Sequence, residues 1–299
     1  MVRAVIDLGT NSVKCVIARV DNGRAEILLE LNKTTRLGGG IAETGKIGQE
    51  SMERNLGFLR EIARNCRELK AEEVVCVGAE TMRRAEDAEV FKALVKGEFG
   101  WELHTLSPEE EARLIYEASA KLAPPGVETL VFDTGGGSTE FTFGQNGGIS
   151  SSYSLPLGAV ILTSRYVNSD PISDADFTAL TRLVEEQISQ NLPRQRDPFT
   201  IGCGGCLTTL AAVALKLEEY DAEKVHGYEL SKVEVEMQAR LYRDLNGQER
   251  KIITGLPAER ADIILAGAVV VLEVFRFFNL SRITISSRGL RHALLSDEA

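Results

Sequence analysis

Two short runs of the sequence have the residue types needed to hold a phosphate group. Val5-Ile6-Asp7-Leu8-Gly9-Thr10-Asn11-Ser12 and Val131-Phe132-Asp133-Thr134-Gly135-Gly136-Gly137-Ser138 share one plan: an apolar strand ending in Asp, a turn of small residues, and a second strand. In such a turn glycines let backbone N–H groups converge on an anion, hydroxyls add donors, and the Asp can hold a cation or a water. Three consecutive glycines exceed what a hairpin requires, and close approach of the backbone to an anion explains the excess. Two copies predict two phosphate-binding hairpins facing each other across a cleft, one built from Gly9, Thr10, Asn11 and Ser12, the other from Gly135, Gly136, Gly137 and Ser138. Glu140 follows Ser138 by two residues and therefore shares its strand face.

A third run, Ser107-Pro108-Glu109-Glu110-Glu111, is largely accounted for by helix initiation. Ser107 suits the N-cap, Pro108 the first helical position, Glu109 the positive end of the dipole, and Glu110 completes a capping box. Glu111 is left without a structural task.

The elements that must position these groups can be read from periodicity. Residues 3–9, 12–20 and 24–36 read as three strands. A helix over about 49–69 follows, with Met52, Leu56, Leu59, Ala63 and Cys66 forming one apolar stripe. Then come a strand Val74 to Gly78, a helix over 81–96, a strand Trp101 to Leu106 and a helix over 108–122. After Pro124-Pro125-Gly126 the pattern restarts with strands at 128–134, 138–144 and 149–156, helices, and a strand Phe199 to Gly202. The fold class is therefore α/β and duplicated, each half a mixed sheet flanked by helices, with ligands outside the strand ends. The expected domains are 1–125 and 126–299, the last helix packing back on the first.

Composition narrows the function. The chain has 299 residues, 43% hydrophobic and 26% charged, enough for a sizeable core in each half. Its net charge of −10 argues against a protein that coats nucleic acid. Five cysteines, of which only Cys203 and Cys206 form a C-x-x-C, give no disulfide framework, and this pair reads as a glycine-rich turn rather than a zinc or redox site. The absence of a signal peptide and of a charge-free spanning segment predicts a cytoplasmic protein without a membrane partner. The most apolar stretch, Ile263 to Phe278, contains Glu273 and Arg276 and reads as a buried helix.

Taken in order, Asp7 to Ser12, Thr81-Met82-Arg83, Glu110 to Ile115, Asp133 to Glu140, Leu155-Pro156-Leu157-Gly158 and Arg288-Gly289-Leu290-Arg291 resemble the exopolyphosphatase/guanosine pentaphosphate phosphohydrolase (Ppx/GppA) family. The resemblance spans almost the whole chain and implies two ribonuclease-H-like domains of the actin-like ATPase superfamily around a central cleft. Longer members carry an extra helical domain for which this chain is too short. It further implies magnesium at Asp133 and Glu140, with Asp7 at the equivalent strand end, and stimulation by potassium. Glu111 takes the position of the general base and Arg83 that of a phosphate-contacting arginine. Lys14, Arg288 and Arg291 are candidates for a basic track along a polyanion. The implied activity is hydrolysis of the terminal phosphoanhydride of inorganic polyphosphate, with guanosine pentaphosphate as the alternative substrate; both present the same bond. A superfamily kinase and a non-catalytic sensor of polyphosphate or guanosine tetraphosphate are the competing classes. The family often forms dimers, but no segment carries an interface signature, and the sequence leaves monomer and homodimer both open. Cys206 stands where a hydroxyl residue is usual and Ile161 where many members have Arg, which bears on nucleotide contact and substrate preference.

Overall fold

A computed structural model of the chain describes residues 1–21, 24–194 and 197–295. Two compact units make up the chain: Met1–Leu114 joined by the segment that begins at Leu290, and Ile115–Gly289.

In the first unit, β1 (Val2–Leu8), β2 (Ser12–Asp21), β3 (Arg24–Thr34), β4 (Glu73–Gly78) and β5 (Leu103–Thr105) form one sheet in the order β3-β2-β1-β4-β5. The first three strands are antiparallel neighbours, whereas β4 and β5 run parallel to β1. β1 is central, and Ala4, Val5, Ile6 and Leu8 are fully buried, the near-continuous apolar pattern of a strand covered on both faces. One face is covered by the helix Gln49–Glu68 through the stripe Met52, Leu56, Leu59 and Cys66. On the other face Leu295 joins Val5, Val16 and Ala18, which explains why the C-terminal segment belongs to this unit. Arg291 fastens it to β3 through Glu30 at 2.8 Å, with His292 at 3.4 Å from the same carboxylate.

The hydrogen bond from His292 and the charge of Arg291 outweigh burial and hold the Glu30 carboxyl below its ordinary range. A lowered carboxylate stabilises the fold above its unfolded value, and that contribution disappears as pH falls through the folded one. Glu30→Gln is therefore expected to lower the melting temperature by about 2–4 °C at pH 7, roughly 1 kcal/mol after allowing for solvent screening of a partly exposed pair. The difference should vanish on acidification below the carboxylate range; thermal unfolding of both proteins between pH 7 and pH 3 checks this.

The second unit repeats the plan. β6 (Thr129–Thr134), β7 (Thr139–Gln145), β8 (Gly148–Leu155), β9 (Phe199–Cys203), β10 (Glu229–Ser231) and β11 (Arg282–Ile285) form a mixed sheet in the order β8-β7-β6-β9-β11-β10. Its first five positions reproduce the first sheet in both order and direction, with β6 in the place of β1. β10 is an added antiparallel edge. The helix Ile264–Phe277 is buried from Ile264 to Phe275 in the core of this unit, including Glu273, which pairs with the half-exposed Arg276. Among the described residues no helix is long and apolar enough to cross a membrane.

Two local features differ from expectation. The helix expected over 81–96 is two helices, Glu80–Arg84 and Ala88–Phe99. Between them the Asp87 carboxylate accepts from the N–H groups of Ile47 and Gly48, at 2.8 and 3.1 Å, and Glu86 N donates to Gly45 O, so these residues bond another segment instead of continuing the helix. Strands β10 and β11, three and four residues long, were not foreseen because they are too short to show a period.

Candidate active site

The first hairpin loop connects β1 to β2. Gly9 N donates to Ser12 O at 3.1 Å, closing the turn. Behind it, Thr10 O accepts from Gly38 N and Asn11 O accepts from the N–H groups of Thr35 and Arg36, at 2.8–3.1 Å. In a trans peptide the carbonyl and the following N–H point in opposite directions. Tying back the carbonyls of Thr10 and Asn11 therefore turns the N–H groups of Asn11 and Ser12 away from the 35–38 segment. Thr10, Asn11 and Ser12 are all buried, and the Asn11 Oδ1 atom is enclosed without a hydrogen-bond partner.

The second loop, between β6 and β7, uses the same construction. Gly135 N donates to Ser138 O at 3.0 Å, the counterpart of the Gly9–Ser12 bond. Gly135 O accepts from Ala159 N, and Gly136 O accepts from Val160 N and Ile161 N, at 2.9–3.2 Å. These donors are the first N–H groups of the helix Ala159–Tyr166, which would otherwise lack intrahelical partners. The same peptide geometry sends the N–H groups of Gly136 and Gly137 away from that helix. The contact is close: a Cβ on Gly158 would lie 2.2 Å from the Gly137 carbonyl carbon and 2.3 Å from Gly136 O.

Asp133 and Glu140 are direct cross-strand partners on β6 and β7, so their side chains share one sheet face beside this loop. Glu140 is 3% exposed, and Ser154 Oγ donates to its Oε1 at 3.0 Å. Asp133 lies against the start of the helix Gly204–Ala214: Gly204, at φ +88°, would place a Cβ 2.0 Å from Asp133 Oδ1. Only glycine is accommodated there, and the carboxylate stands at the positive end of the helix. Both groups offer hard oxygen donors, the ligand type magnesium takes, commonly with one or two carboxylates completed by phosphate and water. Among the described residues no group of three or more His, Cys, Asp or Glu could hold a metal.

Ser107 and Glu110 form the capping box expected of them: Glu110 N donates to Ser107 Oγ at 3.1 Å and Ser107 N to Glu110 Oε2 at 2.8 Å. Glu111 turns elsewhere, accepting from Arg83 Nη1 at 2.9 Å. Arg83 also donates to Leu106 O at 2.8 Å and to Glu80 at 3.1 Å. Burial works against the charge of this guanidinium, but Glu111 and Glu80 outweigh it and raise its pKa above the ordinary value. The arginine and the carboxylate that the family resemblance marked thus hold each other, both less than one-fifth exposed.

Asp7 is the last residue but one of β1, opposite Lys14 on β2. Burial pushes its carboxyl up while Lys14 and Arg291 pull it down. Arg291 is engaged by Glu30 and largely buried. Arg288 lies in the second unit with an exposed side chain, its backbone bound by Ser119 and Ser286. All five cysteines are buried free thiols. Cys203 Sγ donates to Phe132 O, and burial pushes the Cys206 thiol up to about 12.

Three contributors to this geometry were not assigned from sequence. Gly158 and Gly204 stood in the sequence only as glycines of motif or turn, and the approach that requires them is tertiary. Ser154 carried no signal beyond its place on a strand.

A family model described as the Ppx/GppA phosphatase family matches residues 16–299. The chain is 32% identical over 289 residues to exopolyphosphatase 2 of Mycobacterium tuberculosis, covering 91% of this chain and 89% of that protein. It is 27% identical over 292 residues to a guanosine-5'-triphosphate,3'-diphosphate pyrophosphatase of Aliivibrio fischeri, covering 97% of this chain and 58% of that protein, so it spans little more than half of that relative's length. Among solved structures, an Aquifex aeolicus member of the Ppx/GppA family matches with a TM-score of 0.83 at 33% identity over 100% of this chain and 97% of that one. An exopolyphosphatase from Cytophaga hutchinsonii matches with a TM-score of 0.88 at 26% identity, over 99% and 96%.

Proposed function

Because this chain belongs to the Ppx/GppA phosphatase family, we propose that it hydrolyses the terminal phosphoanhydride of inorganic polyphosphate, releasing orthophosphate in a magnesium-dependent reaction. The observation that carries this reading is the construction of the two loops, each with its carbonyls tied back so that consecutive N–H groups turn away from the backbone that binds those carbonyls. Such donors recognise tetrahedral oxyanions without regard to what the phosphate is attached to.

In this reading the N–H groups of Asn11, Ser12, Gly136 and Gly137 bind phosphoryl oxygens. Glu111 accepts the proton of the attacking water and orients its lone pair toward the terminal phosphorus. Arg83, held in place by Leu106 O and Glu80, offsets negative charge on the transferred group. Asp133 and Glu140 would hold magnesium, which supplies charge neutralisation at the phosphate oxygens when bound. Because phosphoryl transfer asks little covalent chemistry of the protein, positioning and fixed charge do most of the work. The buried free thiols accord with the cytoplasmic location that belongs to the same proposal.

Guanosine pentaphosphate is the second reading, favoured by the Aliivibrio fischeri relative's name. Orthophosphate release from short polyphosphate, long polyphosphate and guanosine pentaphosphate, each with magnesium or with chelator, tests both. Magnesium-dependent release fastest from polyphosphate supports the main reading, fastest release from the nucleotide supports the second, and no release from any of them rejects both.

A further inference from the structure

The short helix Glu80–Arg84 carries a residue that the reaction outlined above leaves without a task. Thr81 is 1% exposed, and its hydroxyl donates to Thr10 Oγ1 at 3.0 Å although the two lie 71 residues apart in sequence. We propose that Thr81 is a positioning residue that aims the hydroxyl proton of Thr10 at a bound phosphate oxygen. The inference rests on the phosphohydrolase reading of the first loop.

A hydroxyl has one proton and two lone pairs. Because Thr10 Oγ1 accepts the proton of Thr81, one lone pair is taken and its own proton is directed to a different acceptor. The surroundings are built for this pair. A Cβ on Gly38 would fall 2.6 Å from Thr10 Cγ2 and 2.7 Å from Thr81 Oγ1, so glycine at that position leaves room for the methyl of one threonine and the hydroxyl of the other. With Cγ2 seated there, the branched Thr10 side chain has a fixed rotamer and Oγ1 a fixed position. The Thr10 carbonyl is also tied to Gly38 N at 3.0 Å, and the Thr81 carbonyl to Ala85 N at 3.1 Å. Backbone and side chain are thus restrained at both ends of the bond, which leaves the proton direction as the variable that Thr81 decides.

Thr81→Val keeps shape and packing but removes the donor, whereas Thr81→Ser keeps the donor and removes a methyl. With tripolyphosphate and magnesium, Thr81→Val is expected to lower kcat/KM about 10-fold, the worth of one hydrogen bond to a charged group, while Thr81→Ser stays within about 2-fold of wild type. Thr10→Val should lose at least as much, and adding Thr81→Val to it should cost nothing further, because the second residue acts through the first. Melting temperatures establish that each variant is folded. A Thr81→Val protein with full activity, or one whose loss persists in the Thr10→Val background, overturns the assignment. If Thr81→Ser is the weaker variant, the role is packing and the assignment fails. A wild-type protein that releases no phosphate overturns the phosphohydrolase reading and this inference with it.

Discussion

Replacing Glu111 with glutamine is expected to lower kcat for phosphate release about 10³-fold and to leave tripolyphosphate binding intact, the loss typical of removing a positioned base. The substitution is nearly isosteric, and its amide oxygen can still accept from Arg83 Nη1, now at 2.9 Å from the carboxylate. The helix start does not depend on Glu111, because the capping box belongs to Ser107 and Glu110. What the variant loses is a negative charge able to take a proton. It also removes one of the two carboxylates hydrogen-bonded to Arg83 and leaves Glu80, so phosphate should bind as well as in wild type or somewhat better. Steady-state phosphate release together with calorimetric titration of tripolyphosphate checks both halves. Turnover within about 3-fold of wild type would remove Glu111 from the role of base.

Gly158→Ala is expected to have an effect of similar size on kcat/KM, at least about 10²-fold, through geometry and not charge. Gly158 has ordinary extended backbone, φ −81° and ψ 140°, so alanine is conformationally acceptable there. The obstacle is steric: the added methyl would sit 2.2–2.4 Å from backbone atoms of Gly136 and Gly137, where no flexible side chain can yield. Either the glycine loop or the start of the helix Ala159–Tyr166 must move, breaking the bonds to the carbonyls of Gly135 and Gly136 that orient the loop N–H groups. Overpacking of this kind costs about 1–3 kcal/mol, so the protein should fold with a lowered melting temperature. Phosphate release measured alongside thermal unfolding separates the effects. A folded variant with wild-type kcat/KM would show that the loop does not bind the reacting phosphate.

The loops were legible in the sequence because their chemistry is local. A strand end with Asp, a run of small residues and a hydroxyl lie within eight residues, and the repetition of the pattern exposed the duplication that the two sheet orders display. The stripe Met52, Leu56, Leu59 and Cys66 and the Ser107–Glu110 capping box were legible for the same reason, since helical periodicity and capping are properties of neighbours. Long-range contacts were not. What ties back the loop carbonyls is the 35–38 segment in one unit and the start of the helix Ala159–Tyr166 in the other, and a sequence shows only a glycine where the close approach occurs. The Arg83–Glu111 ion pair joins residues 28 apart; each was marked by the family resemblance, but their mutual engagement follows from the placement of β4 beside β5. The break at Ala85–Asp87 was hidden because the Asp87 carboxylate serves Ile47 and Gly48, a tertiary competitor that propensity does not register.

In the proposed reaction, water attacks the terminal phosphorus of a phosphoanhydride chain. Hydrolysis of tripolyphosphate in ¹⁸O-enriched water with magnesium, followed by mass analysis of both products, tests it most directly. Attack at the terminal phosphorus forms one new bond from solvent oxygen and breaks the bond to the bridging oxygen, which leaves with pyrophosphate. Heavy oxygen is expected in the released orthophosphate and none in the pyrophosphate, with the Glu111→Gln protein forming the same products about 10³-fold more slowly. Label in the pyrophosphate, or no phosphate release by the wild-type protein, would contradict it.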